Sequence, residues 1–181
     1  MNIYIVRHGT TVWNEKKITQ GYFKNRLSSK GKEEINIVSN TLKDKKIDVI
    51  YSSPLVRAIQ SANIINKYHN VKVIKDERLI GINQGIFAGK YWKDYTEEEK
   101  VLHNKRDPIT GMESYKSAFI RCKDFVDNEI RNSKYENIVI VTHNTNATCV
   151  EYALKNITPN FDDHNIMNIY DNGKLRIIKS E

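Results

Sequence analysis

Short runs of β-forming residues alternate along this chain with stretches of helical spacing, and that alternation constrains the fold more than any other feature. The runs are Ile3 to Val6, Asp48 to Tyr51, Val71 to Ile74 and Ile138 to Val141. Between them, Ile35, Val38 and Leu42 predict a helix over Gly31 to Lys45. Leu55, Ala58, Ile59, Ala62 and Ile65 form one apolar stripe of a second. Phe119, Cys122, Val126 and Ile130 trace a third, and Ala147, Val150 and Leu154 a fourth. Strands alternating with helices imply a largely parallel sheet covered by helices on both faces. Local signals agree. Ser53-Pro54 suits a helix start, and Thr96 before Glu97, Glu98 and Glu99 suits another. Asn172-Gly173, between two β-like runs, predicts a hairpin turn. Arg78 to Gly89, with three glycines, reads as a loop.

A chain of 181 residues fits one domain, here taken as residues 1–181, and can bury a real core. With 39% apolar and 28% charged residues it has the balance of a soluble globular protein. No apolar run is long enough to span a membrane. Arg7 and His8 cut the first apolar run short, and no small-residue cleavage site follows, so a cytoplasmic location is expected. Cys122 and Cys149 lie in helical stretches without metal-ligand spacing and read as buried thiols. The net charge of +7 comes with scattered lysines, which reads as a solvated surface. Neither nucleic acid nor membrane is expected as a partner.

In parallel α/β sheets, ligands gather outside the carboxyl ends of the strands. Arg7 and His8 follow the first run, Ser52, Ser53 and Arg57 the second, and His143 the last. Guanidinium groups grip phosphate oxygens two at a time. A neutral histidine is a competent nucleophile. Gly9 lets the backbone approach an oxyanion, and the helix after His143 points its N–H groups at negative charge. A phosphoryl-transfer site needing no metal or other cofactor fits this set, but spacing alone leaves a purely structural role for each residue equally open.

Motif order discriminates between these. Arg7-His8-Gly9 with Trp13-Asn14 resembles the RHG signature of the histidine phosphatase superfamily. Gln20-Gly21, Leu27-Ser28, Ser52 to Ala58 (SSPLVRA), Gly111 with Glu113-Ser114, and Val141-Thr142-His143 continue the pattern in order. The resemblance implies a phosphoglycerate mutase-like three-layer α/β/α sandwich with a mostly parallel central sheet. It implies that His8 is the nucleophile that becomes phosphohistidine, and that Arg7, Arg57 and His143 cradle the phosphoryl group. Asn14, Gln20, Gly21 and Asn144 are assigned by the same resemblance to phosphate or substrate binding.

The chain departs from the family where the leaving group receives its proton. The pattern resembling LxExxxGxxxG keeps Leu79, Gly85 and Gly89, but its acid position holds Gly81, and a second acidic position holds Ala88. After the second histidine, Asn144 stands where a related branch has an aspartate. Losing a general acid costs ~10²- to 10⁴-fold in rate, roughly 3–5 kcal/mol of barrier. The loss falls hardest on alkyl phosphates. Glu15, Asp76, Glu77 and above all Glu113 are the candidate substitute acids.

The expected function is therefore hydrolysis of a small phosphorylated substrate, weakened on alkyl esters. The compact length favours hydrolysis over mutase chemistry. The competing expectation is a pseudo-phosphatase that binds a phosphorylated ligand or protein without turnover. Tyr91 to Met112 is expected to cover the site and set specificity, without naming the substrate.

Overall fold

In the computed structural model, which describes residues 1–179, the four β-forming runs become parallel strands. They are β1 (Asn2–Arg7), β2 (Val49–Ser52), β3 (Val73–Lys75) and β4 (Asn137–Thr142). A fifth, β5 (Leu175–Lys179), adds antiparallel to β1, and the order across the sheet is β3-β2-β4-β1-β5. The helices are α1 (Val12–Glu15), α2 (Ser29–Leu42), α3 (Val56–Asn66), α4 (Glu97–Lys105), α5 (Tyr115–Phe125) and α6 (Asn144–Leu154).

The period of two along each strand divides the core. Ile3, Ile5, Val49, Tyr51, Ile138 and Ile140 face α5 and α6. Tyr4, Val6, Ile50, Val139 and Val141 face α2 and α3. Burying one aliphatic side chain contributes roughly 1.5–3 kcal/mol. β1 and β4, whose apolar side chains are almost wholly buried, therefore carry the sheet, while the half-exposed β3 and β5 contribute less. The expected mostly parallel sheet with helices on both faces is what forms.

Three local expectations need correction. The helix predicted over residues 31–45 runs Ser29–Leu42, capped by Ser28, whose hydroxyl accepts from the Gly31 N–H at 3.2 Å. Ser53 does not cap α3: its N–H still bonds Val141 in the sheet, and the helix opens later, at Val56. Asn172-Gly173 is a turn, with Gly173 at φ +66°, but no strand precedes it, so there is no hairpin. Instead Met167 and Tyr170 tuck into the core beside α6 before the chain turns into β5. The helix ending at Phe125 does continue as expected, through a wider turn over Val126–Ile130 that keeps Val126 and Ile130 buried. Both cysteines are free and fully buried.

The loop after β1 rests directly on the first turn of α2. A Cβ on Gly31 would lie 1.9 Å from the Thr10 carbonyl oxygen, and one on Gly9 would lie 2.3 Å from the Gly31 carbonyl oxygen. Glu34, one turn further along α2, accepts from both the N–H and the hydroxyl of Thr10 at 2.8 and 2.9 Å. Backbone-to-backbone contact of this kind cannot relax by turning a side chain. Gly31→Ala is expected to lower stability by about 3 kcal/mol or more. Urea unfolding measures this, and a loss under ~1 kcal/mol would mean the contact is soft.

Candidate active site

Because β4 lies between β1 and β2 and all three are parallel, their carboxyl ends share one edge of the sheet. The ladder continues past the strands: the His8 N–H bonds Thr142 and the Ser53 N–H bonds Val141. His8, Ser53 and His143 are thereby fixed side by side. The two imidazoles meet edge to face, with centroids 5.0 Å apart.

Backbone geometry sets the state of His8. Its Nδ1 lies 2.8 Å from the Gly9 carbonyl oxygen, which can only accept, so Nδ1 carries the proton. In a neutral ring that leaves Nε2 with a free lone pair. Burial, reinforced by Arg57 and Arg7, holds the ring neutral by pushing its pKa well below the ordinary histidine value. His143 is pushed down likewise, by burial and then by Arg57, His8, Arg7 and Arg121. Its Nε2 lies 2.8 Å from the Ser53 hydroxyl, which also accepts from the Leu55 N–H. Donation from Ser53 to Nε2 satisfies every group and leaves Nδ1–H of His143 free to donate.

Two arginines flank these rings, and carbonyls rather than carboxylates hold them. Arg7 donates to Tyr170 O at 2.6 Å; Arg57 donates to Gly21 O at 3.0 Å and to Phe23 O at 3.1 Å. The Nε of each is buried without a partner. Burial lowers both pKa values to about 10, so both stay charged at neutral pH. The result is a buried, net-positive cradle suited to an anion.

Arg7, His8, Asn14, Gln20, Gly21, Arg57, His143 and Asn144 all line one cavity of about 270 Å³. Asn14 Oδ1 accepts from the Thr11 N–H, so its amide N–H groups are the part available to a ligand. Gln20 Oε1 accepts from the Asn25 amide, and the one proton of the Thr11 hydroxyl goes to either Asn14 Oδ1 or Gln20 Oε1, both within 3.0 Å of it. Asn144 Oδ1 accepts from the Tyr170 N–H at 2.8 Å, which makes its side chain a brace for the segment before β5. The first turn of α6 opens onto the cavity at Asn144 and Thr145, where unpaired N–H groups favour negative charge.

None of the proposed substitute acids lines this cavity. Glu113 is clamped by Arg121 at 2.7 and 3.0 Å and also accepts from the Asn83 N–H. Asp76 is taken by Arg78. A Cβ on Gly81 would stand 3.3 Å from the His143 ring, so the position where the family pattern has its acid does face the site, with nothing there. Sequence reasoning missed Gln84 and His103, which also line the cavity, and the braces supplied by Asn168, Tyr170 and Asn172. Gln84 lay within the stretch read for its glycines. No sequence signal marked His103, since only the seating of α4 turns it inward.

A buried basic cradle around a neutral imidazole, at the carboxyl edge of a doubly covered, mostly parallel sheet, marks an α/β protein with a cavity suited to an anion. Comparison with known proteins gives the family: the chain belongs to the histidine phosphatase superfamily (branch 1), whose sequence model matches residues 3–181. It is 30% identical over 162 residues to phosphoserine phosphatase 1 of Hydrogenobacter thermophilus, covering 85% of this chain and 76% of the relative. It is 33% identical over 150 residues to phosphoglycerate mutase-like protein 4 of Arabidopsis thaliana, covering 78% and 65%. Among solved structures, a putative α-ribazole-5'-P phosphatase of Escherichia coli superposes with a TM-score of 0.84 at 20% identity, covering 99% and 90%. The fold is thus phosphoglycerate mutase-like, and the phosphatase-named relatives support phosphatase activity.

All five histidines have pKa values lowered by burial. His8, His103 and His143 stay neutral in the folded chain, and His69 and His164 take up protons later than in the unfolded chain, which protonates as pH falls through 6.5. Stability is therefore full above pH 6.5 and is lost as pH drops below it, before carboxylates titrate. The thermal midpoint should fall between pH 7 and pH 5; a flat profile across that window would contradict the assigned neutral rings.

Proposed function

We propose that the protein is a phosphomonoester hydrolase working through a phosphohistidine at His8 on a small phosphorylated substrate. The observation that carries this reading is the Nδ1 contact of His8 with the Gly9 carbonyl, which presents the lone pair of Nε2 to a cavity rimmed by unneutralised arginines. In the first step Nε2 attacks phosphorus, the N–P bond forms, and the ester P–O bond breaks with its electron pair passing to the leaving oxygen. In the second, water attacks phosphorus, the N–P bond breaks, and inorganic phosphate leaves while Nε2 regains its lone pair. Arg7, Arg57, Asn14 and Nδ1–H of His143 would hold the three non-bridging oxygens as charge develops, which is most of what phosphoryl transfer requires.

The leaving oxygen has no carboxylic acid beside it, because Gly81 occupies that place and Glu113 is held by Arg121. Aryl esters, which depart without a proton, should be cleaved well, and alkyl esters poorly. The competing reading, a protein that binds phosphorylated ligands without turnover, draws its support from this same missing acid.

Steady-state hydrolysis of para-nitrophenyl phosphate and 3-phosphoglycerate, by wild type and His8→Ala without added metal, separates the two. Wild type should cleave the aryl ester and His8→Ala should not; equal rates for both proteins would leave binding alone. Gly81→Glu should raise the alkyl-to-aryl rate ratio by about 10²-fold. An unchanged ratio would show that the site protonates its leaving group by another route.

A further inference from the structure

The His8 ring gains a positive charge during the reaction, in a cavity that already holds two arginines. Nε2 spends its lone pair on the bond to phosphorus while Nδ1 keeps its proton, so the phosphorylated ring is cationic. Water then supplies the new P–O bond, the N–P electron pair returns to Nε2, and the proton that water loses goes to the expelled oxygen. Arg57 and Arg7 oppose the charge on the ring, as they oppose protonation of the free imidazole. No carboxylate lines the cavity among the described residues. What favours a positive ring is the Gly9 carbonyl oxygen, 2.8 Å from Nδ1.

That carbonyl belongs to the peptide joining Gly9 to Thr10, and in a trans peptide the N–H points the opposite way. The Thr10 N–H donates to Glu34 Oε2 at 2.8 Å, and the Thr10 hydroxyl donates to Oε1 at 2.9 Å. One peptide thus has the His8 proton at one end and a carboxylate at the other. Its flanks are fixed. The Gly9 N–H donates to the Ser61 hydroxyl at 3.2 Å, and the Thr10 carbonyl accepts from the Ser28 N–H at 2.9 Å. Glu34 is fixed as well. It lies half-buried on α2 against the turn before β5, where a Cβ on Gly173 would come within 2.8 Å of the Glu34 Cβ.

We propose that Glu34 is a positioning residue: through the Gly9–Thr10 peptide it holds the Nδ1 proton of His8 and stabilises the positive charge of the phosphorylated ring. Hydrogen bonds in series polarise one another, and a bond to an ionised acceptor is the strongest link in such a chain. The carboxylate pulls on the Thr10 N–H, which leaves more negative charge on the Gly9 oxygen and tightens its hold on Nδ1–H. Glu34 itself stays outside the cavity, so it neither fills the site nor takes a hydrogen bond from Arg7 or Arg57. This inference rests on the hydrolase reading above and deepens it.

Two variants test it, each checked for folding by circular dichroism. Glu34→Gln keeps the acceptor and removes the charge; Glu34→Met keeps the volume and removes both. The fraction of enzyme carrying phosphohistidine, trapped in alkali during turnover of para-nitrophenyl phosphate, separates the rate of phosphorylation from that of dephosphorylation. In Glu34→Gln the ratio of the first to the second should fall about 3- to 10-fold, because only the phosphorylated ring loses its support. Glu34→Met should fall at least as far. The inhibition constant of inorganic phosphate should not weaken in Glu34→Gln. The His8 Nδ1–H proton resonance, assigned by its absence from His8→Ala, should move upfield in both variants as its hydrogen bond slackens. A Glu34→Gln protein whose ratio or resonance matches wild type overturns the relay. So does phosphate binding that weakens in step with the rate, which marks a simple loss of packing. If wild type shows no His8-dependent turnover, the hydrolase reading fails instead, and the Nδ1–H resonance of the resting protein still decides the relay.

Discussion

Two guanidinium groups buried in one cavity with no carboxylate in ion-pair contact, and only the more distant fields of Asp171 and Glu34 acting on Arg7, are the constraint around which this structure is arranged. Arg7 and Arg57 each lower the pKa of His8, and Arg7 lowers that of Arg57, so their mutual repulsion is real. Ion-pairing either with Asp or Glu would relieve the strain but fill the site. The chain instead satisfies them with backbone carbonyls from two separate segments, Gly21 and Phe23 on one side and Tyr170 on the other. Carbonyl dipoles offset part of the desolvation cost while leaving the positive charge intact. Each of those carbonyls must be aimed, so the conformations of both segments follow from the need to keep the arginines buried and unneutralised.

The segment before β5 shows how far that need reaches. Arg7 and Asn144 take the carbonyl and the N–H of Tyr170, and Asn172 reaches the His8 carbonyl and Asn14. Tyr170 is anchored in turn by its hydroxyl on Glu151, a buried carboxylate that also pairs Lys155 and Arg176. Residues outside the cavity thus hold the ones that line it, and the rigidity of the cradle depends on α6 and β5 as much as on β1. Preorganisation of this kind is what electrostatic stabilisation of a developing charge requires.

The fold and the cradle were legible because they rest on periodic and local signals. Ile3 to Val6 and Ile138 to Val141 are short, uninterrupted runs of apolar β-formers, and the residues just beyond them lie at one sheet edge once the strands pair in parallel. Thr96 with Glu99 gave a true capping box for the same reason. What escaped was decided by tertiary placement. Ser53 has the chemistry of a helix cap, yet the sheet keeps its N–H and His143 takes its hydroxyl. Glu113 lies in a motif near the substrate in sequence terms, but Arg121, a residue two turns along α5, claims it. His103 is one unremarkable position on a polar helix until three aromatic side chains fix its direction.

The strand order carries a consequence for how the chain is made. β1, synthesised first, lies between β4 and β5, which come from the far end of the sequence. At ribosomal rates of roughly 5–20 residues per second, the first strand waits for several seconds or more with both hydrogen-bonding edges open. Such edges invite pairing with other chains. The Arg7 guanidinium, which interrupts the apolar run at its end, sets a fixed charge beside those edges and disfavours such pairing.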